Sequence, residues 1–361
     1  MNPCIRSETA PLSQVIVHRP GRSHDNMHPK HIQEYFDNGE CNPDYLLFDD
    51  LIDTHLAKQE HDEFTKIIKL FTGSENCKDF VSDMSNGNLL SNKILPNMIF
   101  TRDLGIVIGE KILIPWAAKH IRNPENEFAA TVFNDHFTNK EIIEFHGIAP
   151  NTSLEGGDVT IYNEDLVIIG ISERTTVEGI KAIESLVFDE GFNRIYAIEL
   201  PKTRSMMHID TVLTKINENE IIYFPQLFDV QMPNIYNITK GKSIDTTKPL
   251  NINLVELLNQ DGYKTIGVKC GGSNELNQYR EQWTDGANAF CLQPGVAIGY
   301  SRNYHTIKEL EKNNYQIIKA KDFSLDKIIS KVFITFDSSE LCRGRGGPRC
   351  LTLPIRREIN G

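Results

Sequence analysis

Four polar clusters interrupt apolar stretches of this 361-residue chain: Asn97-Met-Ile-Phe-Thr-Arg-Asp103, Glu155-Gly-Gly-Asp158, Met207-His-Ile-Asp210 and Arg343-Gly-Arg-Gly-Gly-Pro-Arg-Cys350. Together they hold a thiol, an imidazole and several carboxylates, which could serve as nucleophile, general acid/base and cation-binding set. Taken singly, each has a plainer explanation. An aspartate before a strand commonly caps a turn, and Gly156-Gly157 suits a tight turn through glycine's access to positive φ. A lone cysteine is most often a small buried hydrophobe, and a lone histidine opening a strand is most often structural. Arg343-Gly-Arg-Gly-Gly has the look of a single-strand nucleic-acid segment. It occurs once, in an acidic chain, and lacks the Gly-Lys-Ser/Thr ending of a phosphate loop, so nucleic acid is not expected as a partner. No cluster spaces three or four ligands as a metal site does along the sequence, so neither metal nor cofactor is expected.

The first three clusters each open a strand-turn-strand unit. Asp103 leads into two apolar runs around Gly109-Glu110-Lys111, Asp158 into two around Asn163-Glu164-Asp165, and Asp210 into two around Asn217-Glu218-Asn219. A fourth unit, Asn288 to Tyr300, keeps the form but lacks the aspartate. Turn residues sit where hairpins demand them. Helical 3–4 spacing appears between Leu51 and Phe71, again through Val177, Ile180, Ile183 and Val187, and from Tyr304 to Leu310. Further strands are expected at Ile195–Leu200 and Gln316–Ala320. The unit is therefore strand, strand, helix, strand, recurring every ~50–80 residues, the range of propellers and arrays. Side chains opening successive hairpins can then converge on one point. A single α/β domain over residues 1–361 is expected; a doubly wound parallel sheet ranks second, because it needs longer crossovers and fewer tight hairpins.

Bulk composition narrows the class. With 40% hydrophobic and 24% charged residues the chain can bury a core and is neither disordered nor fibrous. No apolar run approaches the roughly 18 residues of a membrane span, and the start of the chain shows no secretory h-region. The seven cysteines form no C-x-x-C pair, which points to a reduced, cytoplasmic setting rather than a disulfide framework. A net charge of −11 disfavours polyanionic partners and anionic membranes, and is compatible with a small cationic substrate.

The clusters in this order resemble the arginine deiminases of the guanidino-modifying, amidinotransferase-like (pentein) superfamily. The resemblance runs through Val17-His-Arg-Pro-Gly21, Leu46-Leu-Phe-Asp-Asp50, Phe100-Thr-Arg-Asp103, Leu154-Glu-Gly-Gly-Asp158, Glu173-Arg-Thr175, Met207-His-Ile-Asp-Thr211 and Arg343 to Pro354, nearly the whole chain. It implies a five-bladed α/β propeller with the site on a pseudo-fivefold axis. It also implies hydrolysis of L-arginine's guanidinium to L-citrulline and ammonia through a covalent S-amidino-cysteine. An amidinotransferase, or a hydrolase of methylarginine or citrulline, is the alternative. By this resemblance Cys350 is the nucleophile, His208 the proton carrier, Glu155 its holder, and Asp103 and Asp210 the pair that grips the guanidinium. Arg122, Arg174 and Arg345 match residues around the substrate carboxylate, while Asn97 and Leu46 match contacts to its amino-acid end. Asp158 joins this outer set, with service to its own hairpin as the other reading. The thiolate is expected to be favoured by neighbouring arginines and by the substrate's charge. One departure stands out. Arginine deiminases carry a helical bundle before the Thr-Arg-Asp motif, yet only 52 residues separate Asp50 from Asp103. The bundle is expected to be missing or much reduced, and a homo-oligomer is compatible with the sequence without being required by it.

Overall fold

In the computed structural model, which describes residues 2–85, 94–138 and 140–358, the chain forms an α/β fold of small mixed sheets. Five are present among the described residues, each of three or four strands. Each is built on one plan: an antiparallel pair, a helix, then a strand parallel to the second member of the pair. Ile106–Ile108 pairs with Lys111–Ile114, the helix Asn123–His136 crosses over, and Ile142–Glu144 returns parallel. Val159–Ile161 and Leu166–Ile171 repeat this with the helix Val177–Asp189 and the strand Arg194–Glu199, to which Ile235–Thr239 adds an outer antiparallel strand. Leu213–Asn217 and Glu220–Tyr223 follow with the helix Leu254–Gln260 and Ile266–Lys269. Phe290–Gln293 and Val296–Tyr300 use the helix Tyr304–Lys312, and Val332–Phe336 lies between them and Gln316–Lys319. The fifth sheet closes the chain on itself. Its antiparallel pair is Leu353–Arg357 with Leu12–Val17, its helix is Thr54–Thr72, and Cys77–Asp79 is its parallel strand.

Local chemistry accounts for these boundaries. In the second hairpin the Asn163 side-chain oxygen accepts from the backbone N–H of Asp165 (3.0 Å) and Leu166 (2.8 Å), an Asx turn that reverses the chain. Leu166–Ile171 is buried at every position, as a strand covered on both faces must be. Thr54–Thr72 begins where the Asp53 carboxylate accepts from Leu56 N–H at 2.9 Å and ends at Gly73 with φ 78°. It buries Ala57, Phe64, Ile67 and Ile68, and Phe64 stacks on Phe336 at 5.2 Å.

A doubly wound parallel sheet is thus replaced by separate sheets, each with an antiparallel edge. The expected hairpins and the three expected helices are present, within a few residues of their anticipated ends. Between Gly73 and Leu95 the described residues hold only a 3-10 turn, the short strand Cys77–Asp79 and a turn, so this part of the chain holds no bundle helix among the described residues. Among the described residues no helix is long and apolar enough to cross a membrane.

Candidate active site

Each sheet's first strand is preceded by one polar side chain: Asp103, Asp158, Asp210, Asn288 and Cys350. The first three are held in short 3-10 turns, Thr101–Asp103, Gly156–Asp158 and Ile209–Thr211, which set the side chain before the strand begins. The loop to Cys350 packs so closely that two of its glycines admit no side chain. A Cβ on Gly346 would strike the Phe100 ring, and one on Gly347 would lie 2.6 Å from Asn288 Oδ1. Close packing therefore explains the Arg-Gly-rich run without any nucleic acid.

The pocket wall brings together Cys350, His208, Asp103, Asn97, Arg122, Arg174 and Arg345, with Leu47, Phe100, Arg204, Met207 and Gly344 completing it. His208 Nε2 meets Glu155 Oε2 at 2.9 Å. The other Glu155 oxygen accepts from Ala118 N–H at 3.0 Å, and Arg122 and Arg174 approach Oε2 at 3.4 and 3.3 Å. Asp103 accepts from Arg122 Nη1 and from Gly157 N–H, both at 2.8 Å. Asp210 accepts from Arg349 Nη1 at 3.0 Å with Oδ2, the oxygen that also lies 3.5 Å from Cys350 Sγ; its Oδ1 is buried without a partner. Arg349, whose place before the cysteine carried no message in the sequence, is pinned between Asp210 and Glu8 and so fixes the carboxylate beside the thiol.

Electrostatics divide these groups. Burial would raise the Glu155 carboxyl, but Arg174, His208 and Arg122 outweigh it and hold it well below the usual range. Asp103 is likewise lowered, His208 and Arg122 overcoming burial. Burial would lower His208, yet Asp103, Glu155 and Asp158 raise it to about 9. The thiol moves opposite to expectation. Withdrawal from water and the charges of Asp210, Asp285 and Asp103 push Cys350 well above its ordinary value, and Arg349 offsets little of this. The arginines here are paired with carboxylates, so they do not by themselves make a thiolate.

The outer residues differ in what they leave free. Arg122 Nη2 is buried without a partner, and Arg174 Nη2 has only the Met207 sulfur at 4.0 Å. Arg345 is committed: it donates to the carbonyls of Trp283 and Ser205, faces Asp49 at 3.5 Å and lies 3.9 Å above the Trp283 ring. Asn97 donates to the Leu46 carbonyl at 2.9 Å. Leu46 itself is not in the wall; its neighbour Leu47 is, at φ 63°. Asp158 also lies outside the wall. Its oxygens accept from Ser172 Oγ (2.6 Å) and Ile209 N–H (2.9 Å), which ties its hairpin to the turn that follows His208 and spends both oxygens. Arg204 was not singled out in the sequence, and Met207, though it heads the cluster that holds His208, was given no role of its own.

Asp103, Glu155 and His208 each offer a ligand atom within 4.8 Å of the others, a trio that sequence spacing did not suggest. Two arginines already neutralise its carboxylates, which makes it a poor fit for a dication. A larger cleft, about 720 Å³, runs between Val17–Ser23 and the helix Thr54–Thr72, away from this group. Size alone would therefore have pointed to the wrong place.

A thiol facing carboxylates, beside an imidazole held by a glutamate, on an α/β frame of five small sheets defines a cysteine-dependent C–N hydrolase acting on linear amidines. The chain belongs to the arginine deiminase family, whose profile, described as Arginine deiminase, matches residues 70–357. It is 30% identical to the arginine deiminase of Mycoplasma capricolum over 98% of this chain and 96% of that one. It is 29% identical to that of Borrelia recurrentis, covering 98% and 97%. The first alignment is 419 positions long against 361 residues here, so that relative carries residues this chain lacks. Among solved structures, a dimethylarginine dimethylaminohydrolase adduct superposes with TM-score 0.58 at 16% identity, over 95% of this chain and 99% of that one. The N-terminal domain of ArgZ, a cyanobacterial arginine dihydrolase, gives 0.58 at 15%, over 95% and 97%.

Proposed function

We propose that this protein is a single catalytic domain that hydrolyses L-arginine to L-citrulline and ammonia through an S-amidino-cysteine, its five sheets arranged as the blades of a propeller around the pocket. One observation carries the reading. Cys350 Sγ, 3.5 Å from Asp210, shares a pocket with Asp103 and with a histidine that Glu155 grips at 2.9 Å. A guanidinium is planar and cationic, so carboxylates on its edges fix its plane by charge-assisted hydrogen bonds. The same cation offsets the charges that hold the thiol protonated, so binding itself favours the thiolate.

Cys350 Sγ then bonds to the guanidinium carbon. The C–N bond to a terminal nitrogen breaks, and His208, protonated at neutral pH, supplies the proton that lets ammonia leave. The neutral imidazole next takes a proton from water, whose oxygen attacks the amidino carbon. Sulfur departs, the oxygen becomes the ureido carbonyl, and the thiol is restored. Arg122 Nη2 has no partner and Arg174 Nη2 has only a long contact to the Met207 sulfur, so both suit the substrate carboxylate. The pocket's cavity volume, about 20 Å³, holds little more than one water. Arg345 and Arg204 must therefore swing aside to admit an amino acid.

Incubation with arginine should yield citrulline and ammonia in equal amounts, and added glycine should not divert the amidino group, as a transferase would. Cys350→Ala should remove turnover while leaving the fold intact. Activity of that variant within tenfold of the unaltered protein would overturn the reading, and activity lost to chelation and restored by one divalent ion would reassign the Asp103–Glu155–His208 trio.

A further inference from the structure

The fourth hairpin opens with Asn288 where the first three open with aspartates. Asn288 is fully buried, and its side chain reaches Cys350. Its Nδ2 is 3.1 Å from Cys350 Sγ and 3.0 Å from the Asp210 carbonyl. Its Oδ1 accepts from the backbone N–H of Arg349 at 3.0 Å and of Cys350 at 3.3 Å. These partners fix the orientation of the amide, because the two N–H groups require an oxygen and the carbonyl requires a donor. One N–H therefore points at the sulfur. The absence of a side chain on Gly347 lets the cysteine loop lie against this asparagine.

We propose that Asn288 is a further catalytic residue, whose Nδ2–H hydrogen-bonds the Cys350 sulfur and stabilises it as thiolate, both when it attacks and when it is expelled from the second tetrahedral intermediate. A hydrogen bond to a charged acceptor favours the charged form. Asp210, Asp285 and Asp103 act in the opposite sense until a cation binds beside the sulfur, and an aspartate at position 288 would add a fourth repulsion. Asparagine keeps the same shape, retains the oxygen that anchors two backbone N–H groups, and turns a donor rather than a carboxylate oxygen toward sulfur. Its amide has no titrating proton, so its role is to hold the sulfur's charge and its direction of attack.

This deepens the reading of Cys350 as nucleophile, and its test does not depend on turnover. Alkylation of Cys350 by iodoacetamide, followed across pH by peptide mass spectrometry, reports the thiolate directly. Asn288→Ala should move the alkylation midpoint to higher pH and slow alkylation below it by about ten- to a hundredfold, the worth of one hydrogen bond to a charged group. kcat should fall in parallel with little change in KM. Asn288→Asp keeps the anchor for both backbone N–H groups and should shift the midpoint at least as far. A fall in kcat with an unmoved alkylation midpoint would reduce Asn288 to an anchor of the loop and overturn the proposal. A measurement on the unmutated side chain guards against misfolding of both variants. In protein labelled with ¹⁵N-asparagine, the Asn288 Nδ2–H signals should move when Cys350 is alkylated, and unmoved signals would equally overturn it. Alkylation shifts accompanied by full activity of Cys350→Ala would instead leave the thiol contact standing and sink the functional reading.

Discussion

His208 shows how neighbouring carboxylates set the pH range in which an imidazole keeps its proton. Its folded value of about 9 lies above the ordinary ~6.5 because Asp103, Glu155 and Asp158 surround it. The raised value means that this charge stabilises the fold fully below about 6.5 and that the contribution is lost as pH rises through about 9. The same sign applies to activity, since in the proposed mechanism the protonated imidazole is the proton donor for ammonia. kcat/KM should fall along an alkaline limb near pH 9. Glu155→Gln removes the carboxylate that His208 touches, and should move that limb toward neutrality; a pH–rate profile with the limb unmoved would show that Glu155 does not govern the histidine. Arg345 offers a second test. Stacked on Trp283 and bonded to two carbonyls, it has to leave those partners before it can grip a carboxylate. Arg345→Lys should raise KM for arginine about tenfold or more, because an ammonium cannot reproduce a planar fork, and should hardly affect a guanidine without a carboxylate. Equal loss on both would mean that Arg345 acts on the thiol or the fold.

Hairpins and helices differ in how openly the sequence announces them. The alternation of apolar runs with Asn, Gly and Asp turns exposed the hairpins after Asp103, Asp158 and Asp210, because their partners are a few residues apart. The pairing of Leu12–Val17 with Leu353–Arg357 left no such trace, as the strands lie at opposite ends of the chain. The helices Asn123–His136 and Glu275–Trp283 were also missed; Asn, Glu and Gln interrupt their apolar spacing, and each buries polar residues such as Glu125 and Gln278. In the site, the acid, base and thiol stood out by residue type. Asn288, Arg204 and Arg349 did not, since asparagine before a strand and scattered arginines are common in any fold. Thr54–Thr72 carries a measurable share of stability. Phe64 is fully buried and stacks on Phe336, joining the helix of the terminal sheet to the neighbouring sheet. Phe64→Ala should cost about 3–5 kcal/mol in denaturant unfolding, whereas Leu56→Ala, 43% exposed on the same helix, should stay within about 0.5 kcal/mol. Similar losses at both positions would deny the helix its one-sided packing.

Closure of the chain is what assembles the reactive group. Cys350 precedes the strand that pairs with Leu12–Val17, so the proposed nucleophile takes its place only when the two ends of the sequence meet. The carboxylates and histidine come from the three hairpins in between, and none of these segments holds the reaction by itself. Among the described residues no helical bundle precedes Thr101, and the site's walls come from the hairpin starts and from the loops around Leu47 and Arg345. The central claim is that thiol and imidazole act in sequence on one substrate, the first to bond and the second to release. Intact-protein mass spectrometry of His208→Ala exposed to arginine tests it most directly. The substrate's own charge still helps form the thiolate, while water without a base is a poor nucleophile. The account predicts an added amidino group on Cys350, absent when Cys350 is also replaced. Normal turnover by the His208 variant, or an adduct on Cys342 or Cys291 instead, would contradict it.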